Sequence, residues 1–169
     1  MDMWTQMLDN DTLLKQQYDV LAGHWPENKN EVVLVVDKNN EISDFTLYTL
    51  GLRDSKELSD MVSTILAGGE APELEQMVFT YDDLLNLKFK VVLPGDLYKK
   101  NDDGTYTDMS SDADFLKSAV ARGLEVKVSA VIRASDKAYA TTMQPGYIGY
   151  TSELANYIVS ENEKTDVLK

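Results

Sequence analysis

Cysteine is absent from the 169-residue chain, which removes disulfides, thiol catalysis and cysteine metal sites together. Zero cysteine also suits an exposed or secreted domain. Histidine occurs once, at His24, so a nucleophile–histidine pair would need serine or threonine, and no G-x-S-x-G marks one. Bases are scarce: 16 Lys and Arg stand against 29 Asp and Glu, a net charge of -13. That excess speaks against nucleic acid, whose phosphates need basic partners, and against anionic lipid surfaces. No long hydrophobic run exists. The longest apolar block, Val32 to Val36, falls far short of the roughly 20 residues that span a bilayer. The first residues lack the basic region and apolar core of a signal peptide.

What remains is an ordinary globular balance, 43% apolar and 27% charged. A chain of this length buries roughly 70% of its unfolded surface and needs no metal or disulfide staple. The pattern predicts one domain over 1–169, with a small sub-lobe about 54–86 left open as an option. A helix is predicted over Asp9 to Tyr18, opening at Asp11 or Thr12. It is broken at Ala22-Gly23-His24-Trp25-Pro26, because proline holds its predecessor extended. Glu31 to Val36 is a continuous β-branched run, the pattern of a strand buried on both faces. Ser43 or Asp44 caps a short helix ending near Gly51. Asp54 caps a longer one, whose Leu58, Met61, Val62, Ile65 and Leu66 form a single stripe expected to be buried.

Thr80 to Asp83 reads as a capping box, followed by a strand from Lys88 to Leu93. Leu97 to Thr107 has the signature of a hairpin turning at Asp103-Gly104. Ser111 with Asp114 opens a helix stopped by Gly123. Leu124, Val126, Val128, Ala130 and Ile132 then alternate with polar residues, predicting a strand with all five on one face. Gln144 to Gly149 reads as a loop before a last helix capped by Thr151 or Ser152. Helices and strands without a regular βαβ repeat place the chain in the α+β class: a mixed sheet with several short helices packed on it.

No motif with chemistry stands out, so no catalytic, cofactor-binding or metal-binding residue is assigned and no cofactor is expected. His24 beside Trp25 reads as a packing or turn residue. Asp37, Asn39 and Glu41 have the spacing of half a calcium loop, but Ile42 replaces the required glycine and Tyr48 the bidentate glutamate, so the segment reads as a turn. Gly68-Gly69 follows a helix instead of opening one, so it is no phosphate loop. Carboxylate pairs are too numerous among 29 acids for any one to point to glycoside hydrolysis. Between Asp54 and Asp83 eight acids face one base, Lys56. This is either a solvated face or a patch that gathers a cationic ligand.

Several segments, taken in order, resemble the extracytoplasmic domain of FtsX/MacB-type ABC-transporter permeases of Gram-positive bacteria. They are Tyr18 to Pro26, then Asn30-Glu31-Val32-Val33-Leu34, then Leu50-Gly51-Leu52, where the family carries G-R-x-P, N-E-V-V-L and L-G-L. Tyr81 to Leu85 with Phe89 to Leu93, Tyr98 to Asp108, Leu124 to Arg133 and Gly146 to Leu154 continue the likeness across about residues 18–158. His24 stands where arginine is usual. The resemblance implies a non-catalytic MacB-like periplasmic core at the extracellular face of the cell membrane, a soluble piece of a membrane protein. Its expected partners are the membrane helices of its own permease and, through them, a cytoplasmic ATPase subunit. Its substrate would be a cationic peptide or a lipid-linked molecule, not nucleic acid. The alternatives from other classes are a cell-surface interaction domain and a carboxylate-based cell-wall hydrolase.

Overall fold

In the computed structural model, which describes residues 3–169, the elements follow in the order β1 (Trp4–Gln6), α1 (Asp11–Gln17), β2 (Tyr18–Gly23), β3 (Glu31–Val36), α2 (Asp44–Thr49), α3 (Ser55–Leu66), α4 (Tyr81–Leu85), β4 (Lys88–Val91), β5 (Tyr98–Lys100), β6 (Tyr106–Asp108), α5 (Ala113–Arg122), β7 (Leu124–Ala134), β8 (Ile148–Tyr150) and α6 (Ser152–Asn162), with a 3-10 turn at Pro94–Leu97. This is an α+β fold. Its main sheet has the order β1-β8-β3-β7-β2, and β4 also pairs with β7. β3 runs parallel to β7 and β1 parallel to β8; the remaining pairs are antiparallel. β5 and β6 form a separate hairpin.

β3 is the centre, and all six of its residues are buried. Val32, Leu34 and Val36 join one apolar cluster with Leu50, Leu84 and Leu154, which come from the end of α2, from α4 and from α6. Val33 and Val35 join a second cluster with Met7, Leu14, Tyr18 and Met143. The strand therefore has a hydrophobic layer on each face, which is why it reads as a continuous apolar run instead of an alternating one.

β7 departs from the alternation expected of it. Val128 lies opposite Val32 and Ala130 opposite Val33, so Ser129 has no counterpart on β3. One extra residue in a strand reverses the facing of everything after it. Val126, Val128 and Val131 accordingly enter the first cluster, while Ala130 and Ile132 enter the second. β2 carries a matching irregularity: Val20 pairs with Ile132 and Ala22 with Val131, leaving Leu21 unpaired.

The ends of elements differ from expectation in ways that local hydrogen bonding explains. α1 is capped by Asn10, whose Oδ1 accepts from Leu13 N at 3.0 Å, and α5 by Asp112 instead of Ser111. Tyr18 closes α1 as its C-cap, its N–H donating to Leu14 O, and at the same time begins β2. Its buried hydroxyl donates to Met143 O at 3.0 Å and accepts from Met143 N at 2.6 Å. Tyr18→Phe leaves both Met143 backbone groups without that partner, and each unsatisfied buried group costs about 1–3 kcal/mol. A urea midpoint well below the parent's is expected; equal midpoints would show that the hydroxyl is dispensable.

The sequence pattern offers no strand at β1, β2 or β8; in place of a chain break directly after α1, Tyr18–Gly23 pairs antiparallel with β7. β8 occupies part of the segment expected to be loop, because it pairs with β3 and β1 far away in the chain; at Gly149, Val33, Met7 and Met143 leave no room for a side chain. The strand expected over 88–93 stops at Val91. The capping box is present: Thr80 N donates to Asp83 Oδ2 at 2.8 Å and Asp83 N to Thr80 Oγ1 at 3.1 Å. Among the described residues, no helix is long and apolar enough to cross a membrane.

Candidate functional site

The corner between β2 and β3 holds the single histidine. Gly23 takes a φ of +77°, and His24 N donates to Ser129 O at 2.8 Å, which fastens the corner to the bulge of β7. His24 Nε2 lies 3.4 Å from Glu31 Oε2, and the Glu31 side chain is only 3% exposed. Asn28 Nδ2 donates to Glu31 Oε1 at 2.8 Å, and His24 Nδ1 lies 2.8 Å from Trp25 O. Glu31 Oε2 has no hydrogen bond, so the neighbouring imidazole is its main polar company. In the sequence His24 reads as a turn residue and Glu31 as the start of a strand; the structure brings them together. The available signal for their pairing is a lone acid heading a wholly apolar run.

The half-calcium spacing is a turn. Asp37 Oδ1 accepts from Asn39 N and Glu41 N, each at 2.8 Å, which closes the turn. Asp103 at the hairpin tip behaves likewise: hydrogen bonds from Thr105, first its hydroxyl and then its backbone N–H, hold the Asp103 carboxyl below the usual range. Hydrogen bonds with Thr80 do the same for Asp83. Among the described residues no group of three or more His, Asp or Glu is placed to hold a metal ion.

A second feature is an apolar cleft of about 460 Å³ between α6 and β4, lined mainly by Trp4, Phe89, Val91, Tyr150, Leu154 and Ile158. Trp4 and Phe89 meet edge to face with ring centroids 5.3 Å apart, a favourable arrangement for aromatic quadrupoles.

The third lies at α3. The expectation that its stripe is buried is overturned: no residue of this helix is buried. Leu58 and Met61 are half-covered, whereas Val62 is 46%, Ile65 50% and Leu66 83% exposed. The amphipathic spacing is real, but only the N-terminal part of the apolar stripe meets the protein, and its C-terminal turn projects beyond it. What holds it there is the buried Arg53 between α2 and α3. Its Nη1 lies 3.4 Å from Glu57 Oε2 and its Nε 3.6 Å from Asp44 Oδ1, and its Nη2 donates to Glu75 O.

Of the eight acids counted in the sequence, Glu57, Asp60, Glu73 and Glu75 line a cleft of about 380 Å³ beside α3, together with Arg53 and Met61. Asp54 instead caps α3 through Lys56 N, and Asp83 is taken by α4. Lys56 Nζ is 3.0 Å from Asp60 Oδ2. Neither Glu73 nor Glu75 has a basic side-chain partner among the described residues, so the cleft carries unneutralised negative charge. Comparison with known proteins finds no matching family model, no matching curated protein and no matching solved structure.

Proposed function

We propose that the chain is a non-catalytic extracytoplasmic domain of an FtsX/MacB-type ABC-transporter permease, coupling motion of membrane helices to binding outside the cell. The observation that carries this reading is where the resembling segments fall. Gly23 to Pro26, Asn30 to Leu34, Leu124 to Arg133 and Gly146 to Leu154 meet in one frame, the corner and the central strands β3, β7 and β8. A domain that transmits motion needs such a stiff frame. His24, which stands where the family has arginine, lies beside buried Glu31, with Nε2 3.4 Å from Oε2.

The reading is tested on the complete gene product that carries this chain. Because the chain lacks cysteine, Tyr139→Cys, at a fully exposed position, supplies a single reporter thiol in this domain. Labelling of that thiol by a membrane-impermeant maleimide in intact cells, with an ATP-hydrolysing subunit recovered on purification, is the expected result. Labelling only after lysis, or purification without ATPase activity, would overturn the proposal.

A further inference from the structure

We infer that α3 and the acidic cleft beside it form a docking surface for a basic amphipathic peptide segment, with its apolar side chains on Val62, Ile65 and Leu66 and a lysine or arginine in the cleft at Glu73 and Glu75. The inference rests on the reading of a non-catalytic recruiting domain and gives its partner a chemistry.

Two observations meet here. The helical repeat places Leu58, Met61, Val62, Ile65 and Leu66 on one stripe, yet the protein covers only its N-terminal members, Leu58 and Met61. The C-terminal members, Val62, Ile65 and Leu66, form an apolar shoulder, and Leu66 is the most exposed side chain of the stripe. Adjoining it through Met61 is a cleft whose lining includes the acidic residues Glu57, Asp60, Glu73 and Glu75. The cations within reach are already engaged, Arg53 by Asp44, Glu57 and the Glu75 carbonyl, and Lys56 by Asp60. Glu73 and Glu75 are left for an outside charge.

Charge selects the occupant. A second copy using the same face would bring two acidic clefts together, and an anionic membrane would meet like charge. An uncharged apolar partner would strip water from the carboxylates without replacing it. A basic amphipathic segment satisfies both halves of the surface. The two halves also respond differently to salt: attraction to exposed carboxylates is screened beyond about 8–10 Å at physiological ionic strength, whereas apolar contact is not. Salt should therefore weaken association chiefly through its rate and leave a residual affinity.

The test uses fluorescence anisotropy with three labelled peptides of equal length, about 18 residues: a lysine–leucine amphipathic helix, a lysine–serine peptide of the same charge, and a glutamate–leucine helix. Each is titrated at about 20 mM and about 150 mM salt. The lysine–leucine peptide is expected to bind at least about tenfold more tightly than either other. The Ile65→Ser/Leu66→Ser double variant should erase its advantage over lysine–serine. The Glu73→Gln/Glu75→Gln variant should weaken it at low salt and flatten the salt dependence. All four positions are exposed, so urea midpoints should match the parent, and the peptide-side comparison needs no variant at all. Equal binding of the lysine–leucine and lysine–serine peptides, parent-like binding by either variant, or a dimer that Ile65→Ser/Leu66→Ser dissociates would overturn the inference. Absent peptide binding beside intact-cell labelling of Tyr139→Cys would remove this inference alone; labelling only after lysis would remove the permease reading, whatever the peptides do.

Discussion

Val33→Lys is expected to lower stability by about 4 kcal/mol or more, enough to unfold a domain whose total stability is of the ordinary order of 5–15 kcal/mol. Val33 has no solvent exposure. It sits on a strand flanked by β7 on one side and β8 on the other, with Met7, Tyr18, Ile132 and Met143 in the cluster it joins. A lysine at a protein's edge escapes by running its stem along apolar surface until the ammonium meets water. At the middle of this layer no such route is short, and no carboxylate belongs to the cluster. The charge would be buried unpaired or the lysine neutralised, and both alternatives cost several kcal/mol. Val62→Lys, on the exposed shoulder of α3, provides the contrast, with an effect within about 0.5 kcal/mol. Urea unfolding of the two variants beside the parent decides the matter; equal midpoints for Val33→Lys and Val62→Lys would mean that β3 is not the centre of the fold.

Gly23→Ala is the second large effect. An alanine held at φ +77° costs about 1–2 kcal/mol in any setting. Here the added Cβ would also overlap the Ser129 carbonyl oxygen and lie 2.9 Å from its carbon and 3.0 Å from Leu85 Cδ2. That carbonyl is the acceptor for His24 N, so the corner would have to lift away from the bulge. The sum should reach about 4 kcal/mol. Gly104→Ala isolates the first contribution, since Gly104 has φ +82° and open space around it. Gly23→Ala is expected to exceed Gly104→Ala by about 2 kcal/mol or more. Indistinguishable losses in thermal or urea unfolding would remove the close contact from the account.

How far the sequence could be read depends on how local each signal is. β3 was plain because six buried residues in a row need no knowledge of their neighbours. The hairpin and the Thr80–Asp83 box were plain because turn and cap chemistry acts over three or four residues. The strand at 124–134 is legible, but its alternation puts the residues after Ser129 on the wrong face, since Ser129 looks like any alternating polar residue until β3 and Gly23 are placed against it. β1 and β8 are three residues each and gain their pairing from strands far along the chain. The stripe on α3 shows the remaining limit. Spacing reveals that a helix has an apolar side, not whether the protein covers it. For the same reason the acids at 54–83 could be counted but not sorted into those that cap helices and those that line a cleft.

The central strand must also wait for its partner. Val32 and Ser129 touch although they stand 97 positions apart in the chain, and β3 has no sheet neighbour earlier in the chain than β7. At synthesis rates of about 5–20 residues per second, Val-Val-Leu-Val-Val spends roughly 5–20 s outside the ribosome before β7 exists. Such pairing between distant segments is intrinsically slow, and a β-branched pentapeptide without charge is prone to associate with its own kind meanwhile. Glu31 on one side and Asp37-Lys38 on the other then have a task before the fold forms. They bracket the strand with charge while it is most adhesive.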